Sequence, residues 1–469
     1  MLFVRFWNQV SVIGRFVIGT EMTYFNNLYE RVLNSFLPDR KPWKTISRIA
    51  NFVGKEKLKG KKFNIILSSI SVFLILGFAS QYYLSPSPTT ALVQAPVLNE
   101  ITNPYIDSLL QEYNIELERE FKKSKIPGAA VGIVINGKVE YLKPLGVKEI
   151  NTTDSINKTT TFRLASVSKG FSSILMGIIK EEQCLSWFDP LSNYLSNFKT
   201  TPAQWTDSIS IAHVLSHTSG YPYQAYSNLV EEGFHRDSLI KELNNVKLSR
   251  NPGDIHSYQN VAYSLVEPLL EKVTQSSFKE LMQNRIFKPL NMERASISLG
   301  TMLLDDNKAL PHLPSGKSFR TIPISSAYYN VAAAGGINAS ITDMTKWMQA
   351  VTGHKESVVP KVVLDSVFTP IIPTHVRSSY FSSFARPRLG YYGLGWRVVN
   401  YPQDTLIYHG GYANGYKSDI ALNQSKDISI CVLSNAPGNF TPKMTIAFFK
   451  LYNKYQDRIK NWKTPEMVQ

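Results

Sequence analysis

The chain has 469 residues, of which 43% are hydrophobic and 12% aromatic, a composition that excludes a mostly disordered protein. Its two cysteines, Cys184 and Cys431, exclude a disulfide-rich scaffold and a zinc-finger module but leave one disulfide open. The net charge is +15, and residues 1–62 alone carry +8, from twelve Lys or Arg and four Asp or Glu. Because the excess is concentrated in a short leader, it argues against a nucleic-acid-binding groove and favours charge beside a membrane.

An uncharged stretch follows this leader. Residues 63–84 contain no charged side chain and, as a helix, would extend roughly 33 Å, enough to cross a bilayer. Five lysines lie directly before it, from Lys55 to Lys62, and no charge follows until Glu100. The positive-inside rule therefore predicts a single-pass anchor with a cytoplasmic N-terminus and an extracytoplasmic C-terminal part. A buried helix and a cleaved signal peptide are the alternatives, although so long a leader is untypical of a signal peptide.

The rest of the chain divides at a linker. Residues 85–99 are rich in Pro, Ser and Thr, as linkers often are. We therefore predict a leader, an anchor, a linker, one large folded domain and a C-terminal tail, at residues 1–62, 63–84, 85–99, 100–457 and 458–469.

The folded domain begins with mixed elements. Residues 104–123 have apolar side chains at helical spacing, and residues 129–135 form an apolar strand. Asn136-Gly137 then predicts a hairpin turn, because both residues tolerate positive φ, and a returning strand starts at Lys138. Residues 167–182 form the next predicted helix.

A mostly helical block over residues 186–350 precedes several strand-like runs and a closing helix. The runs are YYGLGWRVV, TLIYHGGY, YKSDIALN and ISICVLSN, and the helix covers residues 443–455. This order predicts an α+β fold, an antiparallel sheet flanked by helices with a mostly helical insertion, in addition to the N-terminal transmembrane helix.

Ser-x-x-Lys is a motif that can supply a serine nucleophile with a lysine beside it. Ser-x-x-Lys occurs five times, at Ser155, Ser166, Ser196, Ser238 and Ser276. Only Ser166-Val-Ser-Lys169 stands directly before an apolar helical run. There the helix dipole and free amides favour a developing negative charge, and a desolvated lysine can accept or relay the serine proton.

Two further motifs accompany this serine. Tyr-x-Asn also occurs five times, and the copy at Tyr258 and Asn260 lies on a loop just before a helix, with Tyr226 as its rival. His409-Gly410-Gly411 closes a strand-like run, where glycines let a substrate backbone approach closely. His213 and His217 are four apart, but without a third ligand candidate we interpret them as buried, hydrogen-bonded histidines rather than a metal site.

These three motifs, or boxes, are Ser-x-x-Lys, Tyr-x-Asn and His-Gly-Gly. In this order they resemble those of the class C serine β-lactamases and their penicillin-recognising relatives, namely D-Ala-D-Ala carboxypeptidases, D-aminopeptidases and esterases. Longer segments resemble the family too, among them TFRLASVSKGFSS, IAHVLSHTSGYP, NPGDIHSYQNVAYSLVEPLLEKVT and AAAGGINASITDMTKWM. Together they cover most of residues 125–440. In the family the Tyr-x-Asn box follows a Pro-Gly turn, and Tyr258 fits this context whereas Tyr226 does not.

The resemblance implies a role for each box. Ser166 would be the acylated nucleophile, Lys169 its proton partner, and Tyr258 a general base and then an acid. Asn260 would bind a substrate carbonyl and hold Lys169. The backbone amides of Ser166 and Tyr412 would form an oxyanion hole beside His409, Gly410 and Gly411, without a metal or organic cofactor.

The third box departs from the family's β-lactamases, which carry Lys-Thr-Gly or Lys-Ser-Gly there. His409 replaces a permanent cation with an imidazole, so we expect weak β-lactam turnover and a carboxylate preference that rises as the pH falls through about 6.5. The alternative is that His409 only forms hydrogen bonds to its strand or to Tyr258. The resulting hypothesis is a membrane-anchored serine hydrolase of amides or esters. The alternatives are a penicillin-binding or sensing domain that acylates without turnover, and a true class C β-lactamase.

Overall fold

The structure is a computed structural model that describes residues 103–374, 389–401 and 404–463. The predicted leader, anchor and linker lie outside these ranges, as does the end of the predicted tail. Within the described ranges, no helix combines the length and the apolar character needed to span a bilayer.

The described chain contains helices and strands throughout. The α-helices are α1 Pro104–Ser124, α2 Ser168–Glu182, α3 Ile211–Leu215, α4 Ser227–Glu231, α5 Arg236–Leu243, α6 Asn260–Tyr263, α7 Val266–Thr274, α8 Phe278–Met282, α9 Leu299–Leu304, α10 Ala332–Gly335, α11 Ile341–Val351, α12 Lys361–Val367 and α13 Phe440–Asn461. The strands are β1 Gly128–Ile135, β2 Lys138–Gly146, β3 Thr161–Arg163, β4 His312–Ser315, β5 Ser318–Thr321, β6 Asn338–Ser340, β7 Ile372–Thr374, β8 Leu389–Tyr392, β9 Arg397–Tyr401, β10 Asp404–Ala413, β11 Tyr416–Asn423 and β12 Ile428–Ser434. Short 3₁₀ turns cover Ala165–Val167, Leu191–Asn193 and Ala203–Ser208, and Gln283–Phe287 forms one π turn.

Eight strands form one antiparallel sheet in the order β2-β1-β12-β11-β10-β9-β8-β7. The turn between β1 and β2 has φ of 50° at Asn136 and 72° at Gly137, as its sequence predicts. All eight residues of β1 are buried, because this apolar strand has a packed layer on each face.

The two faces of the sheet belong to two cores. Helices α1 and α13 cover one face, where Leu109, Tyr113 and Phe448 are fully buried. Helices α2 and α11 lie on the other face with the helical insertion, and Phe171 stacks on Trp347 with 3.8 Å between ring centroids. The predicted arrangement, an antiparallel sheet flanked by helices, is therefore confirmed.

Two local expectations change. The closing helix α13 runs from Phe440 to Asn461, longer at both ends than predicted and past residue 457, where the predicted tail begins. The spacing of four would allow His213 and His217 to share a helix face, but helix α3 ends at Leu215, so they do not. His217 instead has φ of 59°, in the left-handed region that ends a helix.

Candidate active site

Ser166 lies in the 3₁₀ turn that leads into α2, and its side chain is half-buried. The preceding residue, Ala165, has φ of 48°, in the left-handed region that costs a non-glycine residue on the order of 1–3 kcal/mol. The Leu164 carbonyl accepts hydrogen bonds from Val167 N at 3.2 Å and from Ser418 Oγ at 2.6 Å. These contacts hold the strained turn against the sheet and keep the serine accessible.

Lys169 is one helical turn further along, fully buried. Its Nζ lies 3.4 Å from Ser166 Oγ, and donates to Asn260 Oδ1 and to the Ala334 carbonyl, both at 2.8 Å. The serine and lysine predicted to act together are therefore adjacent, and Asn260 contacts the lysine as expected.

Burial lowers the pKa of Lys169 well below its usual value, and the positive charge of Arg397 lowers it further. A neutral amine has two N–H donors and one lone pair. The donors match the Asn260 and Ala334 oxygens, which leaves the lone pair toward Ser166 Oγ. The site can thus hold a free base beside the serine without leaving a buried donor unpaired.

Tyr258 lies above this lysine. Lys169 Nζ is 4.7 Å from the centroid of the Tyr258 ring. Burial raises the pKa of Tyr258 above its usual range, and a hydrogen bond with Ser166 acts in the opposite direction. Because burial raises the pKa of Tyr258 and lowers that of Lys169, it favours the uncharged form of both side chains.

Asn260 is the first residue of α6 and is buried. Its Nδ2 donates to Gln224 Oε1 at 3.2 Å while its Oδ1 accepts from Lys169. The amide is thereby held in one orientation between the lysine and the Tyr226 segment.

The third box lies on β10, which passes close to the serine turn. A Cβ at Gly411 would lie 2.2 Å from the Leu164 carbonyl and 3.1 Å from Ser166 N, so only glycine permits this approach. The amides predicted to form the oxyanion hole, those of Ser166 and Tyr412, therefore belong to chain segments in close contact. The Tyr412 side chain itself is 52% exposed.

His409 differs from its expected behaviour. It is 2% exposed, its Nε2 is 2.9 Å from Tyr392 Oη, and its Nδ1 is 2.9 Å from the Gly410 carbonyl. Burial lowers its pKa well below the usual value, and the positive charge of Arg397 adds to that effect. This packing opposes the expected gain of charge near pH 6.5 and favours hydrogen bonding as the main role of His409.

A buried ion network that the sequence reasoning missed supports the lysine's carbonyl partner. Glu267 Oε1 accepts from Ala333 N at 2.8 Å, next to the Ala334 carbonyl, and Oε2 lies 3.4 Å from Arg236. Burial raises the pKa of Glu267 to about 7, against the lowering by the Ala333 amide and Arg236. In the sequence, only the position of Glu267 within the largely apolar run VEPLLEKV could have indicated this buried carboxylate.

Arg397, at the start of β9, is the second residue that was missed. Its guanidinium carbon lies 5.4 Å from the centroid of Tyr392. Its charge lowers the pKa of His409, Lys169 and Tyr258. No motif marks this arginine in the sequence, because its proximity to the site depends on how β8 and β9 pair.

The four competing serines lie away from Lys169. Ser155, Ser196 and Ser238 are exposed and Ser276 is half-buried on the surface of the domain. Tyr226 occupies the position before the short helix α4 and makes no side-chain capping hydrogen bond there, whereas Tyr258 packs on Lys169.

The two cysteines and the histidines were also open questions. Cys184 is exposed and Cys431 is buried, and both are free thiols. Across the described parts of the chain, no three His, Cys, Asp or Glu side chains cluster as metal ligands would.

Comparison with known proteins gives consistent matches. The family model described as Beta-lactamase matches residues 113–448. Protein flp of Staphylococcus aureus is 25% identical over 340 residues, which cover 71% of this chain and 64% of that protein, so the chain spans less than two thirds of this relative. An unguisins hydrolase of Aspergillus campestris is 22% identical over 370 residues, covering 75% of this chain and 66% of that protein.

A solved structure has the same fold. The octameric penicillin-binding protein homologue from Pyrococcus abyssi matches with a TM-score of 0.64 and 21% identity, covering 75% of this chain and 78% of that one.

Proposed function

Because the chain belongs to the beta-lactamase family, we propose that it is a serine hydrolase that cleaves an amide or ester bond through an acyl intermediate on Ser166. The observation that carries this proposal is the environment of Lys169. Its buried Nζ is 3.4 Å from Ser166 Oγ, and its two shorter contacts are both to oxygen acceptors. A neutral amine so placed is a suitable base for the serine proton.

The reaction would proceed in two halves. Lys169 takes the proton from Ser166 Oγ, which attacks the substrate carbonyl carbon, and the amides of Ser166 and Tyr412 stabilise the oxyanion. The carbon–leaving-group bond then breaks as the leaving group receives a proton relayed from Lys169 through Tyr258. Water attacks the acyl ester by the reverse proton path and restores the serine hydroxyl.

The proposed substrates are small esters, or amides and peptides with D-residues. The neutral, buried His409 supports poor turnover of β-lactams, because it brings no cation to meet their carboxylate. The similarity to a protein named as a hydrolase supports turnover over permanent acylation.

Labelling with a fluorophosphonate, followed by peptide mapping and an acyl-substrate screen, tests the proposal. We expect an adduct on Ser166, turnover of esters or amides, and neither in Ser166→Ala. An adduct on another serine would contradict the assignment. One acyl group bound per protein without turnover would instead identify an acylating sensor, and fast penicillin hydrolysis would identify a β-lactamase.

The membrane anchor is part of the same proposal. The uncharged residues 63–84 and the lysines before them support a single span with the hydrolase outside the cytoplasm. Protease added to spheroplasts should then degrade the hydrolase domain and spare the leader. Protection of the domain would reverse this topology, and a soluble product that starts near Gln81 would indicate a signal peptide.

A further inference from the structure

Tyr258 is attached to the fold mainly through one histidine. The amide on its N-terminal side, Ser257 N, donates to the His217 carbonyl at 2.8 Å. The amide on its C-terminal side, Gln259 N, donates to His217 Nδ1 at 3.1 Å. The His217 ring also packs on the Tyr258 ring with 4.2 Å between centroids.

The chemical state of His217 follows from these contacts. Since Nδ1 accepts a hydrogen bond from an amide, the ring proton is on Nε2. The side chain is fully buried, and burial lowers the pKa of His217 well below its usual value. A charged ring would carry a proton on Nδ1 and oppose the Gln259 amide, so the contact requires the neutral form.

The backbone conformation of His217 also favours its contact with the Tyr258 loop. Its φ of 59° ends α3 and turns both its carbonyl and its ring toward the Tyr258 loop. Asparagine adopts this backbone region readily, whereas most other side chains do so at a cost. The loop has a second attachment, since Gln224 N donates to the Tyr258 carbonyl at 2.9 Å.

We propose that His217 is a positioning residue for catalysis, which holds the Tyr258 phenol at Ser166 by binding the backbone amides on both sides of that tyrosine. The inference rests on the proposed hydrolase function. It assigns a specific role to a histidine that sequence reasoning interpreted only as buried and hydrogen-bonded.

Two substitutions separate the acceptor from the ring. His217→Phe keeps an aromatic ring against Tyr258 and removes the acceptor for Gln259 N. His217→Asn keeps an acceptor at the equivalent atom and tolerates the backbone angle. We expect His217→Phe to lower kcat about 10- to 100-fold with little change in KM, as slight misplacement of a reacting group does. His217→Asn should recover most of that loss. The control His213→Phe, whose ring contacts Ser208 and Ser210 rather than Tyr258, should retain wild-type kcat.

A double-mutant cycle tests whether His217 acts through Tyr258. In a Tyr258→Phe background, His217→Phe should change kcat by less than about twofold, because the phenol it positions is gone. An equal loss in both backgrounds, or a His217→Asn variant as impaired as His217→Phe, would overturn the proposal. If His217→Phe does not fold, His217→Ala against His217→Asn provides the same comparison.

Failure of the underlying function has a different signature. If the protein is not a serine hydrolase, the wild type itself shows neither turnover nor a Ser166 adduct. If only the role of His217 is wrong, the wild type turns over normally and the cycle is additive.

Discussion

The two walls of the site are built from different chemical groups. The helical wall is formed by Ser166, Lys169, Tyr258 and Asn260, and burial shifts the pKa values of its lysine and its tyrosine. The sheet wall, residues 409–412 of β10, presents backbone and glycine next to the buried His409 ring, which is hydrogen-bonded at both nitrogens. Residues of the helical wall would therefore transfer protons, whereas the sheet wall would lie close to the substrate backbone. Substitutions on the two walls should reduce activity in different ways.

The largest effect should come from the base of the helical wall. Lys169→Met should lower kcat by about 10³–10⁴-fold, near the upper end for a general acid–base group. Lys169→Arg should not restore activity, because a guanidinium stays charged and cannot accept the serine proton. Lys180→Met, at the far end of the same helix, is the matched control.

The lowered pKa of Lys169 also predicts how kcat/KM depends on pH. Burial lowers the pKa of Lys169, and the base form exists above that pKa. Wild-type kcat/KM should therefore fall as the pH drops through this lowered value, and be fully developed above it. A rising limb only near the ordinary lysine pKa of about 10.4 would show that the site does not hold a free amine.

The phenol of the helical wall should come next. Tyr258→Phe should lower kcat about 10²–10³-fold with the melting temperature little changed, since only the hydroxyl is removed. Tyr226→Phe, measured in parallel, should be nearly silent. Reversal of the two results would place the second box at Tyr226.

A purely steric substitution tests the sheet wall. Gly411→Ala should lower kcat about 10²-fold, comparable to the loss of one oxyanion donor, because its Cβ would displace the Leu164–Ser166 segment. Its pH profile should keep the wild-type shape, unlike that of Lys169 variants. Gly300→Ala is the control, since a Cβ there meets only Ser298 Oγ at 3.7 Å. A shifted pH profile in Gly411→Ala would contradict the assignment of proton transfer to the helical wall alone.

The smallest effect concerns His409. Its neutral state predicts that the ratio of kcat/KM for a carboxylate substrate to that for a neutral one changes less than about twofold between pH 6 and 7.5. His409→Lys should depress both substrates alike, because it buries a charge near Arg397 and Lys169. A selective gain with the carboxylate substrate would restore the charge-preference hypothesis.

Much of the fold and of the helical wall could be predicted from local sequence. The apolar strand β1, its Asn-Gly turn and the helix after Ser166 were predictable because each depends on side-chain periodicity or on local φ preferences. Ser166 and Lys169 face the same way because they are three residues apart on a helical turn. The resemblance to a known family then selected Tyr258 over Tyr226, which spacing alone could not do.

Other properties depended on residues that are distant in the chain. Asn260 reaches Lys169 from 91 positions away, and the Ala334 carbonyl from 165. The neutral state of His409, the field of Arg397 and the left-handed turn at His217 follow from which segments pack together. The sequence by itself thus determined the elements and the nucleophile's neighbourhood. The tertiary structure decided in which direction the pKa values of the buried site residues are shifted, because desolvation depends on long-range packing that no local pattern encodes.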